Sequence, residues 1–344
     1  AILAQGMQRK YYLDNICCVL IIHMIYTCHI PYSCGGFYPT IISFTSTTLS
    51  FFMSWFFFKS GMMHKAATTK EIANKSAKRL LVPYLAFLII GFIIDGIIFN
   101  VNTPERGLRI FVMDEMGNLA RHLVLESTAA SWFLLSLFVA KIAFNALCNK
   151  IHPLLLTLLF ACAAYAVHLA STHGFGFDIH LGGRNVHFDL PPYYIGTMCH
   201  GLSVYSLGYY LREKQFDTKI FVAATILFIL KYYIPAGINF RMNTSNNYLL
   251  AVIYGMSGCV AINNIVQRWV NIKIPLVTYI GENSMVYYLA HYPVMCTMIY
   301  LFWEPFEDKK LWIRYIVLSF VVTVSLIIAD YLFKNKRLRF IIGG

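Results

Sequence analysis

The chain has 344 residues, of which 58% are hydrophobic and 13% charged, with a mean hydropathy of +0.60 and a formal net charge of +12. A soluble globular chain is about half apolar and about a quarter charged. This composition therefore excludes a water-facing globule. The roughly ten-residue alternation of a membrane barrel is also absent, so an all-α integral membrane protein is expected.

Ten apolar stretches are long enough, or nearly so, to cross about 30 Å of hydrocarbon as helices. They run over residues 12–30, 40–58, 80–100, 129–148, 153–171, 192–211, 220–235, 247–266, 276–303 and 312–333. No cleavable leader is read from the first stretch, which follows Arg9-Lys10. The six residues before Met7 read as an expression scar or a misassigned start, and a single polytopic domain is expected over 7–340.

The first stretch carries Asp14, His23 and His29. At about 100° per residue, Asp14, Cys18 and His29 fall close to one helical face, whereas His23 points elsewhere. Imidazole titrates near neutral pH, which suits His29 to proton transfer, and a structural bond to a neighbouring helix explains it equally well. His23 reads more readily as a residue bonded to a neighbouring helix. Between the second and third stretches, Lys59, Lys65, Lys70, Lys75, Lys78 and Arg79 outnumber the single acid Glu71. Retention on the cytoplasmic side explains such a run, and so does a cradle for a phosphorylated cofactor. The segment 173–189 places His173, His180 and His187 seven apart, wider than usual metal-ligand spacing. It reads as a connector or as a polar surface for a sugar-like acceptor.

Lys231 lies inside the seventh stretch without an assigned role. The ninth contains Gly281 and Pro293 and is expected to kink or break. Glu282 and His291 are nine residues apart, on opposite faces of a straight helix, so either the helix breaks between them or only one is functional. The nine cysteines are scattered and read as small apolar residues, with no metal site.

Sorting the 28 Lys and Arg by loop supports the count of ten. Nineteen fall on the side of the N-terminus, eight on the other side, and Lys231 stays within a stretch. By the positive-inside rule both termini are then cytoplasmic. The positive charge reads as topology and contact with anionic lipid, not as a nucleic-acid surface.

Taken in order, four segments resemble the membrane-bound acyltransferase-3 family of bacterial envelope O-acyltransferases. They are RKYYLDN with the helix bearing His29, FFMSWFFFKSGMM (51–63) followed by KRLLVPYLAF (78–87), SWFLLSLF (131–138), and IGENSMVYYLAHYP (280–293). The resemblance implies a multi-pass enzyme of the bacterial inner membrane. Its donor would be cytoplasmic acyl-CoA, with acetyl expected, and its acceptor a hydroxyl of an extracytoplasmic glycan or lipid-linked sugar. It assigns the base to His29, supported by Asp14, and CoA binding to Lys59, Ser60, Lys78 and Arg79. Trp132, Glu282, Asn283, Ser284, His291 and His23 would line or support the cavity. No metal is implied, and self-association stays open. One departure stands out: the family's Arg, eleven residues before its first-helix His, is Cys18 here. Counted from Asp14-Asn15, the two slots are Cys17 and Cys28. Either the register slips or the pair is altered, with another cation such as Arg79 serving instead. A transporter or flippase, and a structural or sensory protein, are the competing classes. The two halves of the chain show no repeat, which favours the enzyme.

Overall fold

The computed structural model describes residues 10–102, 112, 132–174, 176–181, 184–190, 192–214, 217–240, 243–302 and 309–344. Among them, six helices are long and apolar enough to cross a membrane: Tyr11–Ser33, Thr40–Met62, Thr69–Ile94, Pro153–Thr172, Tyr248–Trp269 and Leu311–Phe333. Trp132–Leu147 and Thr218–Leu230 are shorter apolar helices. Helices also cover Tyr193–Leu211, Pro275–Glu282 and Ser284–Phe302. Each of the ten predicted stretches is mostly helical where it is described, and the protein is a helical, multi-pass membrane protein.

The first helix is central. In its apolar window 61% of residues are buried inside the protein, against 17% for Leu311–Phe333. A helix hydrophobic on all sides can either enter the core or face lipid, and these two divide those roles. Gly281 allows Pro275–Glu282 to lie directly on the first helix: a Cβ there would stand 1.8 Å from the Asp14 carbonyl oxygen. Asn15 completes the joint. Its side-chain amide donates to the carbonyls of Val270 and Ile272, both at 3.0 Å, and its carbonyl accepts from Thr278 Oγ1 at 3.1 Å.

Three expectations are refined. The ninth stretch does break, at Asn283, between Pro275–Glu282 and Ser284–Phe302; Pro293 lies inside the second piece. The second stretch is also two helices, Thr40–Thr48 and Phe52–Met62. The segment 173–189 is a β-hairpin, Gly176–Leu181 paired antiparallel with Arg184–Asp189, and a second small hairpin joins Ile238–Asn239 to Thr244–Ser245. Among the described residues the fold is therefore helical with two short hairpins.

Lys231 explains the break in the second stretch. It is only 3% exposed. Its ammonium donates to the carbonyls of Thr47 and of Thr48 (3.0 Å) and to Ser50 Oγ (3.3 Å). A cation at a helix C-terminus meets carbonyls that have no ladder partner and the negative end of the dipole. Removing a charged partner from buried carbonyls costs about 1.5–3 kcal/mol. Lys231→Met is accordingly expected to lower the melting temperature of the detergent-solubilised protein by several degrees; an unchanged melting curve would refute the capping role.

Candidate active site

The side chains that matter most sit where the α-helical ladder is interrupted. Within the first helix, His23–His29 form a π-helical stretch. Two local causes are visible. Thr27 Oγ1 donates to the His23 carbonyl at 2.7 Å, occupying the acceptor that an α-helical amide would use. Pro31 then supplies no backbone N–H, and the carbonyls of Tyr26 and Thr27 accept from Tyr315 OH and Ser46 Oγ instead, each at 3.0 Å. A π turn takes in one more residue than an α turn, so faces beyond it are rotated from those before it. The shared face predicted for Asp14, Cys18 and His29 does not survive this rotation. Asp14 also lies about four turns away along the helix, beneath Gly281.

His29 meets His291 instead. His29 Nδ1 lies 2.8 Å from His291 Nε2, with the rings stacked at 5.0 Å between centroids and 19° between planes. His291 is 1% exposed, and its Nδ1 faces the carbonyls of Tyr288 at 2.7 Å and Tyr287 at 3.2 Å. A carbonyl only accepts, so His291 Nδ1 must carry the proton. With the ring neutral, Nε2 is then an acceptor, and the proton of the shared bond belongs to His29 Nδ1. The second nitrogen of His29, Nε2, is left as the basic one. This is the tautomer a general base needs.

His23 takes another role. It bonds to Thr27 Oγ1 and to Cys28 Sγ (3.4 Å), and its ring stands edge-on to Phe52 at 5.4 Å. It braces the π turn. Trp132 heads the Trp132–Leu147 helix, its carbonyl accepting from Tyr194 OH. The adjacent Phe133 touches Tyr288 at 5.7 Å, so Trp132 sits one residue from the aromatic wall beside His291.

At the end where the first helix begins, a cavity of about 380 Å³ is lined by Arg79, Lys141, Glu282, Asn283, Lys334 and Arg339 among others. Lys78 and Arg79 belong to a second π turn, Ala77–Leu81, again followed by a proline, Pro83. The Tyr279 hydroxyl and the Asp330 carboxylate hold the Lys334 ammonium above its ordinary pKa. Between this cavity and the histidines lies a smaller apolar space of about 50 Å³, bounded by Ile21, Phe56, Phe133, Ser284, Met285 and Tyr288. The two spaces share Met285 as a wall.

Lys59 and Ser60 line none of these spaces. The Lys59 ammonium donates to Cys17 Sγ at 2.8 Å and lies 5.6 Å from the Trp55 ring centroid. Gly61 permits close approach of a helix: a Cβ there would stand 2.0 Å from the Tyr205 carbonyl oxygen. Residues missed from sequence are Lys141, Lys334 and Arg339, single charges whose convergence only the fold reveals. A signal for the histidine pair was present, because His29-Ile30-Pro31 and His291-Tyr292-Pro293 repeat one His-x-Pro pattern.

A membrane-embedded histidine couple stands beside the Tyr288 ring, and a basic cavity borders the other end of the same helix. A family model described as an acyltransferase domain matches residues 10–331, nearly the whole chain. The chain belongs to the acyltransferase-3 family and is a membrane acyltransferase. No curated protein and no solved structure matches it.

The proton assignment has a direct check. In protein labelled with ¹⁵N-histidine, both His29 Nδ1 and His291 Nδ1 are expected to resonate as protonated nitrogens at neutral pH. His291→Phe should release His29 to a mixture of tautomers; a single unshifted His29 signal in that variant would contradict the pairing.

Proposed function

We propose that this protein moves a short acyl group, acetyl in the simplest case, from acyl-CoA to a hydroxyl of a carbohydrate. The donor would be cytoplasmic and the acceptor extracytoplasmic, either a glycan or a lipid-linked sugar. This reading takes the ten helical stretches as spans of a bacterial inner membrane with both termini in the cytoplasm. The observation that carries it is the His29–His291 bond, 2.8 Å long, which leaves Nε2 of His29 as the basic nitrogen of the pair.

The chemistry follows. An alcohol is a weak nucleophile at neutral pH, so its proton must leave as it attacks. His29 Nε2 accepts that proton while the hydroxyl oxygen bonds to the thioester carbonyl carbon. The tetrahedral intermediate then collapses, the C–S bond breaks, and CoA leaves as the thiolate, which takes up the proton. The imidazolium formed on His29 in between is stabilised through its Nδ1–H by His291, whose own Nδ1–H is anchored on the Tyr288 carbonyl. Lys78 and Arg79 are the proposed CoA contacts, supported by their place on the basic cavities. Lys59 and Ser60 are less well supported for that task, since Lys59 is engaged with Cys17. Glu282 and Asn283 border the donor cavity, and Ser284 the apolar space above it. A space of about 50 Å³ suits a short acyl chain better than a long one.

With purified protein, radiolabelled acetyl-CoA and candidate glycans, His29→Ala is expected to lower acyl transfer by about 10²–10⁴-fold, the usual worth of a general base, with expression intact. Arg79→Ala is expected to raise KM for acetyl-CoA. Wild-type turnover in His29→Ala would remove the base from this assignment.

A further inference from the structure

The basic cavity is not closed by the long helices alone. After Leu311–Phe333, the chain makes a short helix, Lys336–Arg339, and a 3-10 turn, Phe340–Ile342, and returns to Arg79. Arg339, Ile342, Gly343 and Gly344 wall the cavity of about 380 Å³. Phe340, Gly343 and Gly344 also wall a second cavity of about 500 Å³ on the other flank of Arg79, where Lys75 and Lys78 stand.

The contact at Arg79 is close and specific. Gly343 has φ +78°, a left-handed conformation that favours glycine. A Cβ there would come within 2.6 Å of the Arg79 carbonyl oxygen and 2.8 Å of its Cα. Pro83 cannot donate to the carbonyl four residues before it, which is that of Arg79. The tail therefore settles against a turn whose backbone lacks a ladder donor.

The charges around these two cavities are lopsided. Lys75, Lys78, Arg79, Lys141, Lys334 and Arg339 line them, and the acids facing the same spaces are Glu282 and Asp330. Asp330 is already committed, to Lys334 Nζ at 3.2 Å and to Tyr279 OH at 2.6 Å. Four separate segments thus bring cations together with few counter-charges. Like charges that converge this way repel one another unless an anion sits among them, and guanidinium groups bind phosphate oxygens in pairs of bonds.

We infer that the tail is part of the donor site: Arg339, held by the Gly343–Arg79 contact, joins Arg79 and Lys141 in binding the phosphate groups of the nucleotide half of acyl-CoA. This rests on the acyl-CoA reading above and extends it to residues beyond the last long helix. A nucleotide with a pyrophosphate and a 3′-phosphate has the multiple negative charge that two flanking basic cavities demand. Pantetheine carries none and needs no such cradle.

The test uses the full chain in zwitterionic nanodiscs and measures affinity for CoA, for 3′-dephospho-CoA and for pantetheine. Arg339→Ala is expected to weaken CoA binding at least about tenfold, in the range that the loss of a charge-assisted contact produces, and to flatten its salt dependence. Gly343→Val should weaken it as well, by pushing the tail off Arg79. Arg337→Ala, a loss of charge that lines neither cavity, should bind CoA as the wild type does. Wild-type CoA affinity in both Arg339→Ala and Gly343→Val, with loss in Arg79→Ala, would overturn the inference and leave the donor reading standing. Absence of CoA binding by the wild type would overturn both. Repeating the series with phosphatidylglycerol in the discs separates the other source of phosphate. Arg339-dependent lipid binding with unaltered CoA affinity would assign the cradle to a headgroup and overturn the inference.

Discussion

A proline inside a membrane helix removes a backbone donor where no water replaces it, and the carbonyl left behind must find a partner within the protein. Much of this site is organised by that requirement. Pro31 follows the first π turn, and side chains from two other segments, Ser46 and Tyr315, come in to meet the carbonyls of Thr27 and Tyr26. Pro83 follows the second π turn, and the chain's tail lies against the Arg79 carbonyl. Pro293 stands two residues beyond His291, whose ring donates to the Tyr288 carbonyl of the preceding turn. The first proline thus draws side chains of two other segments onto its helix, and all three prolines stand within four residues of a residue of the site. The two histidines hold equivalent places in two His-x-Pro elements, and the fold turns those elements to face each other.

The same interruptions decide what could be read beforehand. Apolar run length locates the helices, because hydrocarbon thickness imposes it directly. A break in the ninth stretch is one of the two outcomes that Glu282 and His291, on opposite faces of a straight helix, leave open, and it falls at Asn283. Helical faces are another matter. A constant 100° per residue put Asp14, Cys18 and His29 together, and a π turn from His23 to His29 spoils that count over the very residues in question. Lys231, a lone charge in an apolar run, could not reveal that its partners were the last carbonyls of a helix some 180 residues earlier. Nor could single charges at Lys141 and Arg339 announce a shared cavity, since each is ordinary in its own segment.

The first helix lacks the arginine that family resemblance places eleven residues before His29; that slot is Cys18. A positive group is nevertheless close by. Lys59 reaches from the Phe52–Met62 helix to Cys17 Sγ, its ammonium also over the ring of Trp55 one turn earlier. Long basic side chains lie along apolar surfaces while carrying their charge to a distant polar atom. A neighbouring helix thus places a positive charge at the residue next to that slot. Arg79, the other candidate for that task, is turned to the basic cavities instead.

The route between the two ends of the site runs along one helix. Ser284, Tyr288 and His291 recur at i, i+4 and i+7, the spacing that keeps side chains on one face. Asn283, at the break, borders the basic cavity; Ser284 and Tyr288 border the apolar space; His291 holds His29. From Asn283 to His291 is eight residues, or about 12 Å of rise. The break at Asn283 is what lets this face begin at the cavity, because Gly281, just before it, is pinned to the backbone of Asp14. One piece of the helix is thus fixed to the core of the bundle, and the other is aimed from the basic cavity toward the base. On the proposed acyl-CoA reading, the charged nucleotide stays at the polar end while only an uncharged arm and a small acyl group enter the apolar space. This division avoids the large penalty of taking phosphates into hydrocarbon.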